Sequence, residues 1–286
     1  MRCAVLTILL LGVFAPAARA DGFQVLQDLA ARHLRPAPLV PATAPRLFSD
    51  LGMSLTPGPG IGKGGYGLRL LHYAPGGPAD AIIALGRGEF ASVPAALRHF
   101  SRNGYTKRTT RARGRRAYLL TRKPRELILL WSEDGRAYTL ATGTPRKVPV
   151  SALRAAAAGL DHLGANYIGS YFAPGTNNTS FGGVLVTTER SVSGVVEWGT
   201  DNCTFNGFPA AAYGGSATFV MLPLRSGAFS LPLNGPLVRP PGWNGTISGT
   251  VSTAAINLSL QGSGTFDGEI CDTGPMSVSA AARDPD

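Results

Sequence analysis

The sequence predicts an α+β domain, an antiparallel sheet with packed helices, followed by an all-β antiparallel sandwich or barrel. Up to residue 165 the apolar residues follow both strand and helix spacing, whereas from residue 166 onward short alternating runs are rich in Gly, Ser, Thr and Asn. The charge changes at the same place. Residues 21–166 contain 21 Lys and Arg against 9 Asp and Glu, and residues 167–286 contain 4 against 8. The formal net charge of +10 therefore comes from the first part.

Residues 1–20 are predicted to be a signal peptide. Arg2 precedes an apolar run that ends near Phe14, and Ala18 and Ala20 supply the small residues of a cleavage site before Asp21. The apolar run is only about half of the roughly 20 residues that a spanning helix needs. We therefore expect a protein that is secreted or cell-envelope associated after cleavage near Ala20, with no transmembrane span in the mature chain.

Residues 21–65 are predicted to form a short helix and then a Pro/Gly-rich extended segment. Apolar residues from Phe23 to Leu34 lie near helical spacing, and prolines and glycines accumulate from Pro36 onward. Glycines 60, 62 and 65 have the spacing of a dinucleotide-binding loop. Because we see no strand before them and no helix after them, we predict no cofactor.

Residues 66–165 are predicted to be the basic α+β domain. One helix is expected from Val93 to Arg102 and a second from Ser151, as its N-cap, to Leu163. The turn residues Glu133 to Gly135 join two apolar runs, which predicts a β-hairpin. The predicted strands are 66–73, 81–85, 117–121, 127–131 and 137–141.

A basic stretch from Arg98 to Arg125 contains no acidic residue and could attract an anionic partner. For an exported protein that partner would be anionic lipid or wall polymer. The alternative is a solvated hairpin face. We expect no nucleic acid, since export separates the protein from it and no stacking aromatics interleave with the arginines. The candidate residues for binding an anionic surface are Arg108, Arg111, Arg113, Arg115, Arg116, Arg122 and Lys123.

Residues 166–286 are predicted to be a β-sandwich with one disulfide. Cys203 and Cys271 are the only cysteines left after cleavage, and an isolated pair in an oxidising compartment usually forms a bridge. Three aromatic residues of this part could form a platform on which sugar rings stack, although core packing is the alternative. These residues are Trp198, Tyr213 and Trp243.

Two parts of the chain resemble families without an assigned activity. The first shows a G-x-Y opening at Gly169, a G-x-F strand at Phe229, an I-x-G strand at Ile247, and a cysteine before and after these strands. It resembles a β-sandwich domain of exported actinobacterial proteins of unknown function. Residues 127–163 resemble small Gram-positive envelope domains of unknown function with a lipoprotein-carrier-like fold. The first resemblance implies a β-sandwich, and the second implies a role in the cell envelope. Neither resemblance assigns a catalytic residue to this chain.

No pattern of catalytic or metal-binding residues stands out in the sequence. The histidines are scattered without a second His or Cys at ligand spacing, so no metal is predicted. We predict a non-enzymatic cell-envelope or extracellular interaction protein of unknown ligand. One alternative is a carrier that holds a lipid or other apolar ligand between the sheet and the helix from Ser151. A second is a hydrolase of cell-wall glycan whose carboxylates meet only in space.

Overall fold

The structure is a computed structural model that describes residues 17–32, 34–43, 51–56, 64–73, 79–122, 126–143, 148–172, 179–252 and 254–283. Most of the predicted signal peptide and Lys123 lie outside these residues. The described chain consists mainly of antiparallel strands. Its three helices are α1 (Ala17–Ala30), α2 (Val93–Arg102) and α3 (Val150–Ala158).

The segment predicted to be extended and irregular contains two strands. Strand β1 (Leu39–Pro41) is buried and pairs with residues 160–162, and β2 (Leu51–Thr56) pairs with the strand that starts at Tyr66. A strand therefore does precede the glycine-rich stretch, contrary to our expectation. An antiparallel strand follows that stretch, where the dinucleotide-binding pattern needs a helix.

The first sheet consists of β2 and six further strands: β3 (Tyr66–Tyr73), β4 (Ala79–Arg87), β5 (Thr106–Ala112), β6 (Arg115–Arg122), β7 (Glu126–Glu133) and β8 (Arg136–Gly143). These seven antiparallel strands lie in the order β2-β3-β4-β8-β7-β6-β5. The predicted hairpin is confirmed, since β7 and β8 pair on either side of Asp134 and Gly135. Strand β5 was not predicted, because its Thr and Arg residues show no apolar alternation, and only one of its seven residues is buried.

The two faces of this sheet bury different cores, because side chains alternate along each strand. Helix α2 has the predicted bounds and begins at Ser92, whose side chain accepts a hydrogen bond from the Ala95 amide. It covers one face of β6, β7 and β8. The small core beneath it contains Ala96, Phe100, Leu120, Ile128 and Leu130. The opposite face packs against α1 and α3.

The C-terminal strands belong to a second, thirteen-stranded antiparallel sheet that also includes β1. Strand β20 (Met276–Arg283) pairs with both β18 (Ala255–Phe266) and β9 (Leu160–Phe172), and so connects two layers that pack face to face. One layer consists of β9 (Leu160–Phe172), β10 (Ser180–Thr188), β11 (Ser191–Thr200), β14 (Tyr213–Pro223) and β16 (Val238–Arg239). The other consists of β12 (Cys203–Phe205), β13 (Phe208–Pro209), β15 (Ala228–Pro232), β17 (Trp243–Val251), β18 (Ala255–Phe266), β19 (Glu269–Asp272) and β20 (Met276–Arg283).

The interior between these layers is apolar, with Phe181, Phe219, Ile247 and Leu258 among its fully buried residues. Both sheets are open, so the barrel alternative is wrong. The predicted disulfide is confirmed, since the sulfur atoms of Cys203 and Cys271 lie at bonding distance and the two residues are register partners on β12 and β19.

A single core connects the α+β part with the sandwich. Leu29 of α1 and Trp131 of β7 share this core with Val186 of β10. Strand β9 passes without a break through residue 166, so the structure shows no clear division there. The predicted helix from Ser151 to Leu163 is too long: α3 ends at Ala158, because residues 160–162 pair with β1.

Candidate functional site

Two hairpin turns lie side by side at one end of the seven-stranded sheet. The β5–β6 hairpin turns at Arg113 and Gly114, with φ of 51° and 75°, and the β7–β8 hairpin turns at Asp134 and Gly135, with φ of 49° and 71°. Two successive residues with positive φ are typical of the type I′ turns that close two-residue hairpins. Because β6 and β7 are neighbours, the turns bring Arg113 next to Glu133.

Glu133 is the centre of a buried ionic group. Its side chain is only 4% exposed, and its Oε2 accepts hydrogen bonds from the Arg113 Nε and the Trp131 indole, each at 3.0 Å. The Arg115 Nε lies 3.8 Å from Oε1. Burial raises the pKa of Glu133, but these donors and the two guanidinium charges outweigh it, so the net pKa is lowered. Glu133 is therefore ionised at neutral pH.

His162 reaches the same group from β9. Its Nε2 lies 3.3 Å from Asp134 Oδ2 and 3.7 Å from Glu133 Oε1, and its Nδ1 lies 3.1 Å from the Ala37 carbonyl oxygen. We call Arg113, Glu133, Asp134 and His162 the Glu133 cluster. No sequence pattern indicated this cluster, because His162 lay in a predicted helix far along the chain from the predicted turn.

Arg87 holds the segment that carries Ala37. Its side chain is completely buried, and its guanidinium donates to the carbonyls of Gly64 at 2.7 and 2.9 Å and of Pro36 at 2.6 Å. The guanidinium carbon lies 5.0 Å from the centre of the Tyr66 ring. Burial raises the pKa of Tyr66 well above its ordinary value, so the ring stays neutral beside Arg87. The Arg87 contacts therefore give fixed positions to two separate segments of the Pro/Gly-rich region.

The predicted anion-binding residues fall into different environments. Arg113 is only 16% exposed and bound to Glu133, so its assignment to a binding surface is corrected. Arg122 is exposed but lies 2.8 Å from Glu126, whose pKa is lowered by this hydrogen bond. Of the predicted anion-binding residues that the structure describes, four are exposed and have no described carboxylate within 4.0 Å, and we call them the basic surface: Lys107, Arg108, Arg111 and Arg116.

Three residues of the basic surface share one face of the hairpin. Arg111 and Arg116 are register partners, so their side chains lie directly opposite each other, and Lys107 lies on the same face as Arg111. The Tyr118 ring is flanked by the Lys107 Nζ at 5.7 Å and the Arg116 guanidinium carbon at 5.6 Å. An aromatic residue therefore does interleave with the cations, contrary to our expectation from the sequence.

The aromatic residues predicted to stack on sugars are mainly core residues. Trp198 is 3% exposed and Trp243 is fully buried, and their rings pack edge to face with centroids 5.9 Å apart. Tyr213 is half-buried and stacks on Phe266 at 5.1 Å. The glycan-stacking prediction is thus wrong for the two tryptophans, because both side chains lie in the core between the two layers of the sandwich.

The contacts of the described residues favour neither the carrier alternative nor the hydrolase alternative. The face of the sheet that a carrier would use is packed with fully buried side chains, including Trp131, Leu140 and Leu153. For a hydrolase, Glu133 is held by two donors at one oxygen, and the neighbouring buried Asp161 lies 3.3 Å from the Arg190 guanidinium.

These features define a protein built from antiparallel strands, with a basic hairpin surface and a buried ionic cluster beside it. No helix in the described part of the chain has the length and apolar character needed to cross a membrane. No protein-family model, curated protein or solved structure matches the chain. The resemblances stated from the sequence therefore stay predictions.

The first testable prediction concerns the buried pair of Arg113 and Glu133. Asn suits the first position of a type I′ turn better than Arg does. We nevertheless expect Arg113→Asn to lower the free energy of unfolding by about 2 kcal/mol at neutral pH. Removing one partner of a buried ion pair costs about 3 to 5 kcal/mol. The loss is smaller here because the Trp131 indole and Arg115 stay near the carboxylate, and relief of turn strain returns about 1 kcal/mol. Urea unfolding measures the difference.

The pH dependence of the free energy of unfolding distinguishes the contribution of this ion pair from that of the turn geometry. Because the folded-state pKa of Glu133 is lowered, its contribution is complete above the unfolded pKa of about 4.3 and disappears as pH falls through the folded value. The gap between parent and Arg113→Asn should therefore shrink under acid. In the Glu133→Gln variant, where the buried charge is absent, Arg113→Asn should lower the free energy of unfolding only slightly. A variant as stable as the parent at neutral pH would show that turn geometry outweighs the ion pair.

Proposed function

We propose that the protein is an exported, non-enzymatic interaction protein of the cell envelope whose β5–β6 hairpin binds phosphate-bearing lipids or wall polymers. The observation that carries the proposal is the basic surface, which presents four exposed cations without a carboxylate in reach among the described residues. Like charges placed directly opposite each other on two strands destabilise a hairpin. An anionic ligand would offset that repulsion at Arg111 and Arg116.

The surroundings of the basic surface support the same interaction. Helix α2 lies on the same side of the sheet and carries the exposed Arg98 and Arg102. Tyr118 holds Lys107 and Arg116 near its ring, which orders their long side chains before a ligand arrives. The combined positive potential would concentrate anions at this face of the molecule.

Export is compatible with the packing of α1. Cleavage before Asp21 would remove only the first residues of this helix. The buried side chains that attach α1 to the sheets, namely Phe23, Leu26 and Leu29, would stay in the mature chain. Binding tests should therefore use the form that the host exports, with its N-terminal residue determined by mass spectrometry.

The second prediction tests the basic surface. We expect the triple variant Lys107→Gln, Arg111→Gln, Arg116→Gln to bind anionic vesicles about a hundredfold more weakly than the parent, since each cation near an anionic surface contributes about 1 kcal/mol. Its thermal stability should be unchanged or slightly higher, because the substitutions relieve repulsion. Co-sedimentation with phosphatidylglycerol vesicles measures the binding. Salt raised from about 0.05 M to about 0.5 M should also weaken parent binding, because the screening length falls to about 4 Å.

A matched control variant distinguishes the effect of the hairpin cations from the effect of the protein's net charge. Arg32, Arg69 and Arg225 are exposed and lie outside the hairpin, so replacing them with Gln removes the same charge elsewhere. Parallel titrations with a soluble glycerol-phosphate polymer and with single-stranded DNA separate lipid, wall polymer and unselective polyanion binding. The proposal is wrong if both triple variants lose the same affinity, or if the parent does not bind either phosphate ligand at low salt.

A further inference from the structure

We propose that the Glu133 cluster contains a binding site for a divalent transition-metal ion, with Glu133, Asp134 and His162 as its protein ligands. One ligand atom from each of these residues lies within 4.8 Å of the other two. The site is chemically separate from anion binding and does not depend on the proposed function.

The hydrogen bonding of His162 calls for a cation at this position. The Ala37 carbonyl can only accept a hydrogen bond, so His162 Nδ1 carries the proton of that contact. In the neutral ring Nε2 then presents a lone pair, and it faces carboxylate oxygens of Asp134 and Glu133 at 3.3 and 3.7 Å. Three acceptors this close repel one another. Either a second proton on the ring or a metal ion between the three atoms removes the repulsion.

The spacing of the ligand atoms suits a metal ion. Bonds of about 2.0 to 2.2 Å from Zn²⁺ to nitrogen and oxygen place tetrahedral ligand atoms about 3.4 Å apart. The distances from His162 Nε2 to the two carboxylate oxygens bracket this value. Asp134 and His162 are about one-third exposed, so a fourth coordination position would face solvent.

Hydrogen bonds from neighbouring residues orient the proposed ligands, as they do in known metal sites. A metal-binding histidine usually donates its other N–H to a carbonyl or carboxylate, and the ligating carboxylates are themselves hydrogen-bonded. Here Ala37 orients the His162 ring, and Arg113 and Trp131 bind Oε2 of Glu133. That arrangement directs the other oxygen, Oε1, towards His162.

Two guanidinium groups compete with the metal ion for Oε1 of Glu133. The Arg113 Nε donates to this oxygen at 3.3 Å in addition to its contact with Oε2. The second group belongs to Arg115. Its Nε lies 3.8 Å from Oε1 of Glu133, the oxygen that would bind the metal, and its side chain is 51% exposed. An exposed Arg side chain can turn into solvent at small cost. Of the available ions we favour Zn²⁺, because one imidazole with two carboxylates suits it and its affinity exceeds that of Mn²⁺ or Fe²⁺ for such ligands.

The third prediction is tested by titrating the metal-free exported protein with zinc chloride in a calorimeter. We expect one zinc ion per chain and a rise in melting temperature with zinc. His162→Gln and Asp134→Asn should each weaken zinc binding at least tenfold and abolish the rise, and Asn tolerates the positive φ of residue 134. The matched control is His99→Gln, at an exposed histidine on α2, which should bind as the parent does.

Arg115→Gln is expected to strengthen zinc binding, whereas His162→Gln and Asp134→Asn are expected to weaken it. Removing this charge should tighten zinc binding about fivefold, because the guanidinium no longer repels the ion. None of the proposed zinc ligands belongs to the basic surface. Zinc binding and vesicle binding are therefore tested by different variants, and the two proposals can fail separately. A parent without a saturable zinc site, or His162→Gln protein that binds zinc as the parent does, would show that His162 pairs with the carboxylates through a proton alone and would overturn the proposal.

Discussion

Replacing Arg87 with Met is expected to lower the free energy of unfolding by about 3 kcal/mol. The substitution leaves the partly buried carbonyl groups of Gly64 and Pro36 without the donor that they share, whereas the Ala37 carbonyl keeps its contact with His162. Each unsatisfied buried acceptor costs about 1 to 3 kcal/mol. Relief of guanidinium desolvation offsets part of that sum. Chemical unfolding followed by tryptophan fluorescence measures the loss.

Two further variants define what Arg87 contributes. Arg87→Lys keeps the charge but cannot reach the Gly64 and Pro36 carbonyls together, so we expect it to recover less than half of the loss. Arg69→Met, on the adjacent strand β3, removes an exposed Arg and should change stability by less than about 0.5 kcal/mol. If Arg87→Met cost less than Arg69→Met, other groups would have to satisfy these carbonyls.

Loss of the disulfide is expected to have an effect of similar size. The bridge closes a sequence separation of 68 residues, for which loop-closure entropy gives about 4 kcal/mol. Both cysteines are buried, so Cys203→Ala with Cys271→Ala avoids burying new polar atoms. Thermal and urea unfolding of the double variant, against the oxidised parent, measure the difference.

The disulfide should also determine where the sandwich opens first. Strand β12 pairs with β19 only at Cys203 and Thr204, and it carries the short edge strand β13 with the exposed Phe208. In the double variant, hydrogen exchange of β12 and β13 should become faster while β10 and β11 stay protected. Reduction of the parent should reproduce the change. Equal stability of parent and double variant would mean that strand pairing alone holds this edge.

Local features of the sequence were enough for most regular elements. Helix α2 has the predicted bounds, since the residues that define it lie in one short stretch. The hairpin at Glu133 to Gly135 was marked by its turn residues, and the disulfide by the small number of cysteines. The strand-rich character of residues 166–286 followed from short alternating runs such as the one in β18.

Elements whose partners lie far along the chain required the tertiary structure. Strand β1 has three residues and forms because residues 160–162 supply its hydrogen bonds, which also ends α3 early. Strand β5 is stabilised by pairing with β6 rather than by apolar alternation. The residues of the basic surface were predicted from their charge, but only the fold separates Arg113, which is buried against Glu133, from the exposed Arg111.

By itself, the sequence determined the strand-rich character of the chain, the position of α2, the cysteine pair and the basic character of the hairpin. The tertiary structure decided that Glu133, Asp134 and His162 meet, and that Arg87 holds the Pro/Gly-rich segment beside them. The reason is physical. Periodicity, caps and turns depend on neighbouring residues, whereas buried ion pairs and shared carbonyl contacts form only when packing brings distant segments together.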